Sequence, residues 1–219
     1  QCNDEAAARL ALNNYQRAFA ESGSDTEPQT LNNMMVNYIL IAHKLGRLSS
    51  VRKMWGKYEK LLGKEKTANY EFSKLLLEGL TAQTRGQYRK ALQSYRCIFD
   101  VLPFRPDKYR NITLVYRFMA FCYAEMNHYP QAITMMERAL ALADKGGMKD
   151  AQIEIYKILA TYYGHAGQKQ KSTSCLSRGV AISDSLLNYQ QLAKVHEMRL
   201  LMQMQRADSM TAQEEQSKR

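Results

Sequence analysis

The sequence has few of the residues that interrupt helices or favour strands. Its 219 residues include only four prolines and eleven glycines, and runs of valine or isoleucine are rare. No apolar run approaches the ~20 residues that a membrane-spanning helix needs. Composition therefore predicts an all-α chain whose membrane contact, if any, is made through segments outside these residues.

Motifs for metal binding, redox chemistry and phosphate binding are also lacking. The four cysteines are widely spaced with no CxxC pair, and the four histidines are not at metal-ligand spacing. Neither G-x-S-x-G nor GxxxxGK[ST] occurs. We therefore expect no enzyme activity, no catalytic residues, no metal and no cofactor.

Positive charge is concentrated in the middle of the chain. Residues 51–110 carry 14 Lys and Arg against 6 Asp and Glu, within a net charge of +10. The segment VRKMWGKYEKLLGKEK (51–66) has a composition found at nucleic-acid or anionic-lipid contacts. Its cations, however, alternate with apolar residues as on the solvated face of an amphipathic helix. We favour the amphipathic helix and expect no nucleic-acid partner.

One residue pattern recurs at a fixed interval. In RGQYRKALQSYRCIFDVLP (85–103), Gly86 is preceded by a small residue, Gly79, and followed by Tyr88 and Ala91. The same frame recurs around three other positions. The anchors are Gly46, Gly86, Asn127 and Gly167, separated by 40, 41 and 40 residues. Four anchors at nearly equal spacing indicate an internal repeat of about 40 residues.

This frame resembles the tetratricopeptide (TPR) family of helix-turn-helix repeats. In such repeats small residues let two helices approach closely, glycine permits the turn, and the following aromatic packs between neighbouring pairs. The period exceeds the family's usual ~34 residues. The resemblance implies an all-α fold, a right-handed superhelix of antiparallel helix pairs with about ten helices.

The frame also predicts the domain boundaries. We expect one TPR-like domain over residues 1–208 and a polar linker over 209–219. A partial first pair is predicted at 3–22. Four repeats follow at about 28–63, 67–103, 108–144 and 148–184, and a capping helix follows at 186–207.

Stacked helix pairs present a concave face lined by the first helix of each pair, and such faces bind peptides or partner helices. We therefore predict a non-catalytic module that binds a peptide or protein in this groove. Arg117 with Phe121, and Lys157, are the strongest candidates, because a cation beside an aromatic suits a carboxylate. The predicted groove residues are Asn33, His43, Ser73, Gln83, Arg117, Phe121, Glu154, Lys157 and Thr161. The truncated first pair exposes an apolar edge that also allows a homodimer.

A second resemblance concerns the end of the repeat region. AISDSLLNYQQLAKVHEM (181–198) is similar to the segment that closes the extracytoplasmic TPR region of bacterial membrane-bound sensor proteins. In those proteins a histidine kinase or a DNA-binding output domain follows. The absence of an initial methionine suggests that an upstream segment has been removed.

This second resemblance implies a periplasmic sensor domain of a bacterial signal-transduction protein, a two-component histidine kinase or a transcriptional regulator. The main alternative is a freestanding soluble TPR scaffold for protein–protein interaction, located in the cytoplasm. An RNA-binding helical-repeat protein is the third interpretation.

Overall fold

The computed structural model describes residues 2–23, 25–63 and 67–217. Within these ranges the chain forms only helices and turns, so the prediction of an all-α fold is confirmed. No helix in the described ranges is both long enough and apolar enough to cross a membrane. The helices are α1 (Cys2–Glu21), α2 (Pro28–Lys44), α3 (Leu48–Leu62), α4 (Ala68–Thr84), α5 (Tyr88–Val101), α6 (Tyr109–Glu125), α7 (Tyr129–Lys145), α8 (Lys149–His165) and α9 (Lys169–Ser217), with a short 3-10 turn at Pro106–Lys108 before α6.

The four repeat anchors all lie in turns that join the two helices of a pair. Their φ angles are 66° at Gly46, 71° at Gly86, 59° at Asn127 and 74° at Gly167. In the first of these turns the backbone N–H of Arg47 donates to the carbonyl of Ala42 at 2.7 Å, which satisfies a carbonyl at the end of the helix. Asparagine tolerates this left-handed conformation better than other residues with a side chain. The sequence anchors therefore mark the residues that reverse the chain direction.

By its internal contacts the chain divides into two compact units, Gln1–Leu142 and Ala143–Arg219. In the first unit, the core is built from buried side chains of α1 to α7, including Phe19, Leu31, Phe72 and Leu80. In the second unit, α8 packs against the first part of α9. There Gly179 lies so close to α8 that an added Cβ would be 3.3 Å from Cβ of Tyr156.

Helix α9 differs from the predicted end of the chain. It runs unbroken from Lys169 to Ser217, whereas the repeat frame predicts that one helix ends near 184, with a capping helix at 186–207 and a linker over 209–219. The stretch 180–217 contains neither glycine nor proline, and its Gln, Glu, Ala and Met residues favour helix. Polarity alone therefore does not end this helix.

An aromatic cluster centred on Tyr58 joins α1, α3 and α4, and a hydrogen bond links it to α2. Its ring lies 6.4 Å from Phe19, 5.2 Å from Trp55 and 5.9 Å from Tyr70, measured between ring centroids. The Tyr58 hydroxyl donates a hydrogen bond to Oδ1 of buried Asn32 at 2.5 Å. Burial raises the pKa of Tyr58 to about 12, so the hydroxyl remains a donor over the physiological range.

Candidate functional site

Two of the predicted groove residues are part of the protein core. Ser73 is completely buried, and its Oγ donates to the carbonyl of Asn69 at 3.0 Å. Gln83 is also buried, and its Oε1 accepts a hydrogen bond from the Tyr95 hydroxyl at 2.9 Å. The prediction that these two side chains line a ligand groove is wrong, because this face of α4 packs against its neighbours.

His43, Arg117 and Phe121 lie at least partly at the surface of the first unit. The His43 ring is half-buried and contacts the edge of Phe118 at 5.9 Å between centroids. Burial lowers the pKa of His43, which favours the neutral imidazole. Phe121 is 40% exposed and meets Tyr88 of α5 edge-on at 6.4 Å, and Arg117 lies one turn before it on α6.

The second unit holds three of the predicted residues, Glu154, Lys157 and Thr161, on the exposed face of α8. Lys157 Nζ lies 3.5 Å from Oε1 of Glu154, in an ion pair open to solvent. Thr161 Oγ1 donates to the carbonyl of Lys157 at 3.2 Å. Thr161 also lines a recess of about 400 Å³ between α8 and α9, together with Gly164 and Leu176.

Asn33 belongs to a polar recess at the N-terminal ends of α2, α4 and α6. A hydrogen-bonded row of side chains crosses it, one from each of three successive repeats. Asn69 Nδ2 donates to Gln29 Oε1 at 2.8 Å, and Lys108 Nζ donates to Asn69 Oδ1 at 3.3 Å. We call Gln29, Asn69 and Lys108 the amide ladder. The recess has a volume of about 290 Å³ and is lined by Gln29, Asn32, Asn33, Val36, Asn69, Phe72, Asp107, Lys108, Arg110 and Asn111.

The amide ladder follows the repeat. Its members are 40 and 39 residues apart in the sequence, which is close to the interval of 40 or 41 residues between the turn anchors. Asn33 extends the ladder on α2, since its Oδ1 accepts from Gln29 Nε2 at 3.2 Å. Of this group sequence analysis identified Asn33 alone. The sequence signal for Gln29, Asn69 and Lys108 is a polar residue at nearly the same position of each repeat.

The ladder lies in a weakly positive environment. The Lys108 side chain is only 17% exposed and lies 3.5 Å from Oδ2 of Asp107. A hydrogen bond from Arg105 is the main cause of a lowered pKa for the Asp107 carboxyl, which stays ionised. Among the described residues, the N-cap residues of α2, α4 and α6 (Glu27, Thr67 and Lys108) give no side-chain acceptor to the first-turn N–H groups. Helix starts of this kind favour carbonyl oxygens or anions.

Comparisons with known proteins identify the fold. No family model and no curated protein matches the sequence. Among solved structures, a signal transduction ATPase with numerous domains that has a tetratricopeptide repeat sensor, from Pyrococcus horikoshii, matches with a TM-score of 0.59 at 18% identity. That match covers 84% of this chain and 30% of the other.

Two further solved structures match at a TM-score of 0.50. BtubC (BKLC) from P. vanneervenii is 22% identical, with 84% of this chain and 76% of the other covered. A putative kinesin light chain of Podosopora anserina with nearly identical TPR-like repeats is 15% identical. The match covers 85% of this chain and 95% of the other. At these identities the likeness concerns the fold, which is an all-α, TPR-like repeat of helix pairs.

Proposed function

We propose that this chain is a non-catalytic module that binds an extended peptide segment of a partner protein across the amide ladder. The ladder carries the proposal because it offers one polar side chain per repeat. Packed helices lie about 8–10 Å apart, which corresponds to about three residues of an extended peptide. Amide side chains both donate and accept, as a peptide backbone requires.

The polar groups of the ladder can bind both the backbone and a carboxylate of such a peptide. The bonds among Gln29, Asn69 and Lys108 would be exchanged for bonds to peptide N–H and C=O groups. Lys108 supplies a charge-assisted donor for a carboxylate. TPR-like solved structures support a role in protein interaction, which is the common use of stacked helix pairs.

Removal of the ladder is expected to weaken peptide binding. We would select dodecapeptides on the wild-type protein from a random display library and measure their affinity by isothermal titration. The double substitution Asn69→Ala with Lys108→Ala should raise Kd about tenfold or more, because two hydrogen bonds are lost and one of them is charge-assisted. Gln93→Ala, on an exposed position of α5, is the matched control and should leave Kd unchanged. If none of the selected peptides lost affinity in the double variant, this site would be disproved.

We further propose that the module is the sensor domain of a bacterial signal-transduction protein, held in the periplasm. The similarity of 181–198 to the closing segment of extracytoplasmic TPR sensors supports this role. The Pyrococcus horikoshii protein offers a parallel, because its TPR region is described as a sensor. Helix α9 carries segment 181–198 and continues without a break to Ser217. Ligand binding would shift the population of α9 poses, and the output domain would respond to that shift.

The sensor role predicts what the complete gene encodes and where the module resides. We expect a membrane-spanning helix soon after residue 219, followed by a kinase or DNA-binding domain. Alkaline phosphatase fused after residue 219 of the complete protein should be active, since the enzyme requires the oxidising periplasm. A stop codon at that point, or an inactive fusion that is stably expressed, would leave the freestanding cytoplasmic scaffold as the function.

A further inference from the structure

A larger recess lies between α3 and α4 in the first unit, at residues that the amide ladder does not include. Its volume is about 620 Å³, which is within the range of sites that bind small molecules and short peptide segments. We call it the basic cleft. Its lining consists of Gly46, Leu48, Ser49, Arg52, Trp55, Lys74, Leu77, Glu78, Thr81, Thr84 and Arg85.

The floor of the basic cleft is apolar and held in place by the core. Trp55, the single tryptophan of the sequence, is half-buried and contacts Tyr58 at 5.2 Å and Tyr70 at 5.8 Å between ring centroids. Tyr58 is completely buried, so the indole rests on a fixed support. Leu48 and Leu77 extend the apolar surface beside it. This floor can receive one aliphatic or aromatic side chain.

The rim of the basic cleft carries unpaired positive charge. Arg52, Lys74 and Arg85 are exposed, and in the part of the chain that the structure describes none of them forms an ion pair. Among the described residues that line the cleft, Glu78 is the one carboxylate. The hydroxyls of Thr81 and Thr84 already donate to the carbonyls one turn earlier. The net charge of the lining is therefore positive, which favours an anionic ligand.

The spacing of the cations indicates the shape of this ligand. Positions 74 and 85 are separated by about 16 Å along the axis of α4. That distance corresponds to about five residues of an extended peptide, and it exceeds the reach of a small molecule with a single carboxylate. We propose that the basic cleft binds an acidic peptide segment, with one apolar side chain on Trp55 and carboxylates at Arg52, Lys74 and Arg85.

The same observations disfavour a nucleic acid as the occupant. Single-stranded RNA binds along grooves in which several exposed aromatic side chains stack on successive bases. Of the lining residues that the structure describes, Trp55 alone is aromatic, and it is already packed against two tyrosines. Glu78 on α4 would also repel the phosphate backbone. An acidic peptide needs only one apolar anchor, and its carboxylates need not occur at every residue, so they can face the three cations while an uncharged residue faces Glu78.

The fluorescence of Trp55 reports occupancy directly, because no other tryptophan contributes. The probe is a tryptophan-free heptapeptide with a central leucine and three glutamates on each side. We expect a saturable change in Trp55 emission, and raising the ionic strength from about 0.05 M to about 0.3 M should weaken binding several-fold. The double substitution Arg52→Glu with Lys74→Glu should raise Kd about tenfold or more, since attraction is replaced by repulsion.

The controls separate this site from general electrostatics and from the amide ladder. Arg89→Glu with Lys90→Glu makes the same change of net charge on the exposed side of α5 and should retain binding. Asn69→Ala with Lys108→Ala should also retain it, so failure of the ladder does not remove this proposal. The proposal of an acidic-peptide site would be overturned if Trp55 emission showed no saturable change, or if a glutamine version of the peptide gave an equal change. It would also be overturned by an equal loss of binding in either control variant, or by tighter binding of oligouridylate RNA.

Discussion

Replacing Tyr58 with alanine is expected to lower the free energy of unfolding by about 4 kcal/mol, the range for a large aromatic residue removed from a packed core. Tyr58 is completely buried at the centre of the cluster formed with Phe19, Trp55 and Tyr70. Truncation leaves a cavity where α1, α3 and α4 meet. It also leaves Asn32 Oδ1 buried without the hydroxyl donor that it has in the native protein. Urea unfolding followed by circular dichroism measures the loss.

Tyr58→Phe is the control that separates packing from the hydrogen bond. It keeps the ring and removes the hydroxyl, so only the unsatisfied Asn32 acceptor should count, at about 1–2 kcal/mol. If Tyr58→Ala lowered stability no more than Tyr58→Phe, the cluster would not be the packing centre that the ring distances indicate. The basic cleft should lose its floor in Tyr58→Ala, since Trp55 rests on this ring.

Replacing Gly79 with alanine is expected to lower the free energy of unfolding by about 2 kcal/mol, because overpacking exceeds the gain in helix propensity. A Cβ at this position would lie 2.3 Å from Cε1 and 2.7 Å from Cδ1 of Tyr95. The ring cannot easily move aside, since it is buried, stacked on Phe118 at 5.8 Å and hydrogen-bonded to Gln83. Thermal and urea unfolding both measure the effect.

Gly56 provides a matched control for Gly79 in another helix. It lies within α3, and an added Cβ would meet nothing within 4 Å. Gly56→Ala should therefore raise the free energy of unfolding by about 0.5–1 kcal/mol through helix propensity alone. Opposite signs for the two substitutions would establish that Gly79 is required for close approach to Tyr95. Equal signs would contradict that conclusion.

The features that sequence predicts well are those set by local chemistry. The repeat turns follow from the left-handed conformation that Gly46, Gly86, Asn127 and Gly167 adopt, and a residue that suits this conformation is visible in the sequence. The role of Gly79 as a small residue that permits close approach is likewise supported by its distance to Tyr95. Helix type and turn position therefore follow from the order of the residues alone.

The features that sequence predicts poorly depend on how each helix is rotated against its neighbours. Ser73 and Gln83 are polar and were expected at the surface, yet both are buried because their hydrogen bonds are satisfied internally. The amide ladder was missed for the opposite reason. Gln29, Asn69 and Lys108 are individually ordinary residues, and only the stacking of α2, α4 and α6 brings them together.

The unbroken course of α9 has a mechanical consequence. A helix of 49 residues is about 75 Å long, whereas α8, against which it packs, has only 17 residues. A rotation of about 5° around Gly179 displaces Ser217, about 57 Å further along the helix, by about 5 Å. Displacements too small to rearrange the α8 contacts are thus magnified along the rod. A helix of this length would act as a lever, with its pivot in the segment around Gly179, which lies against Tyr156 of α8.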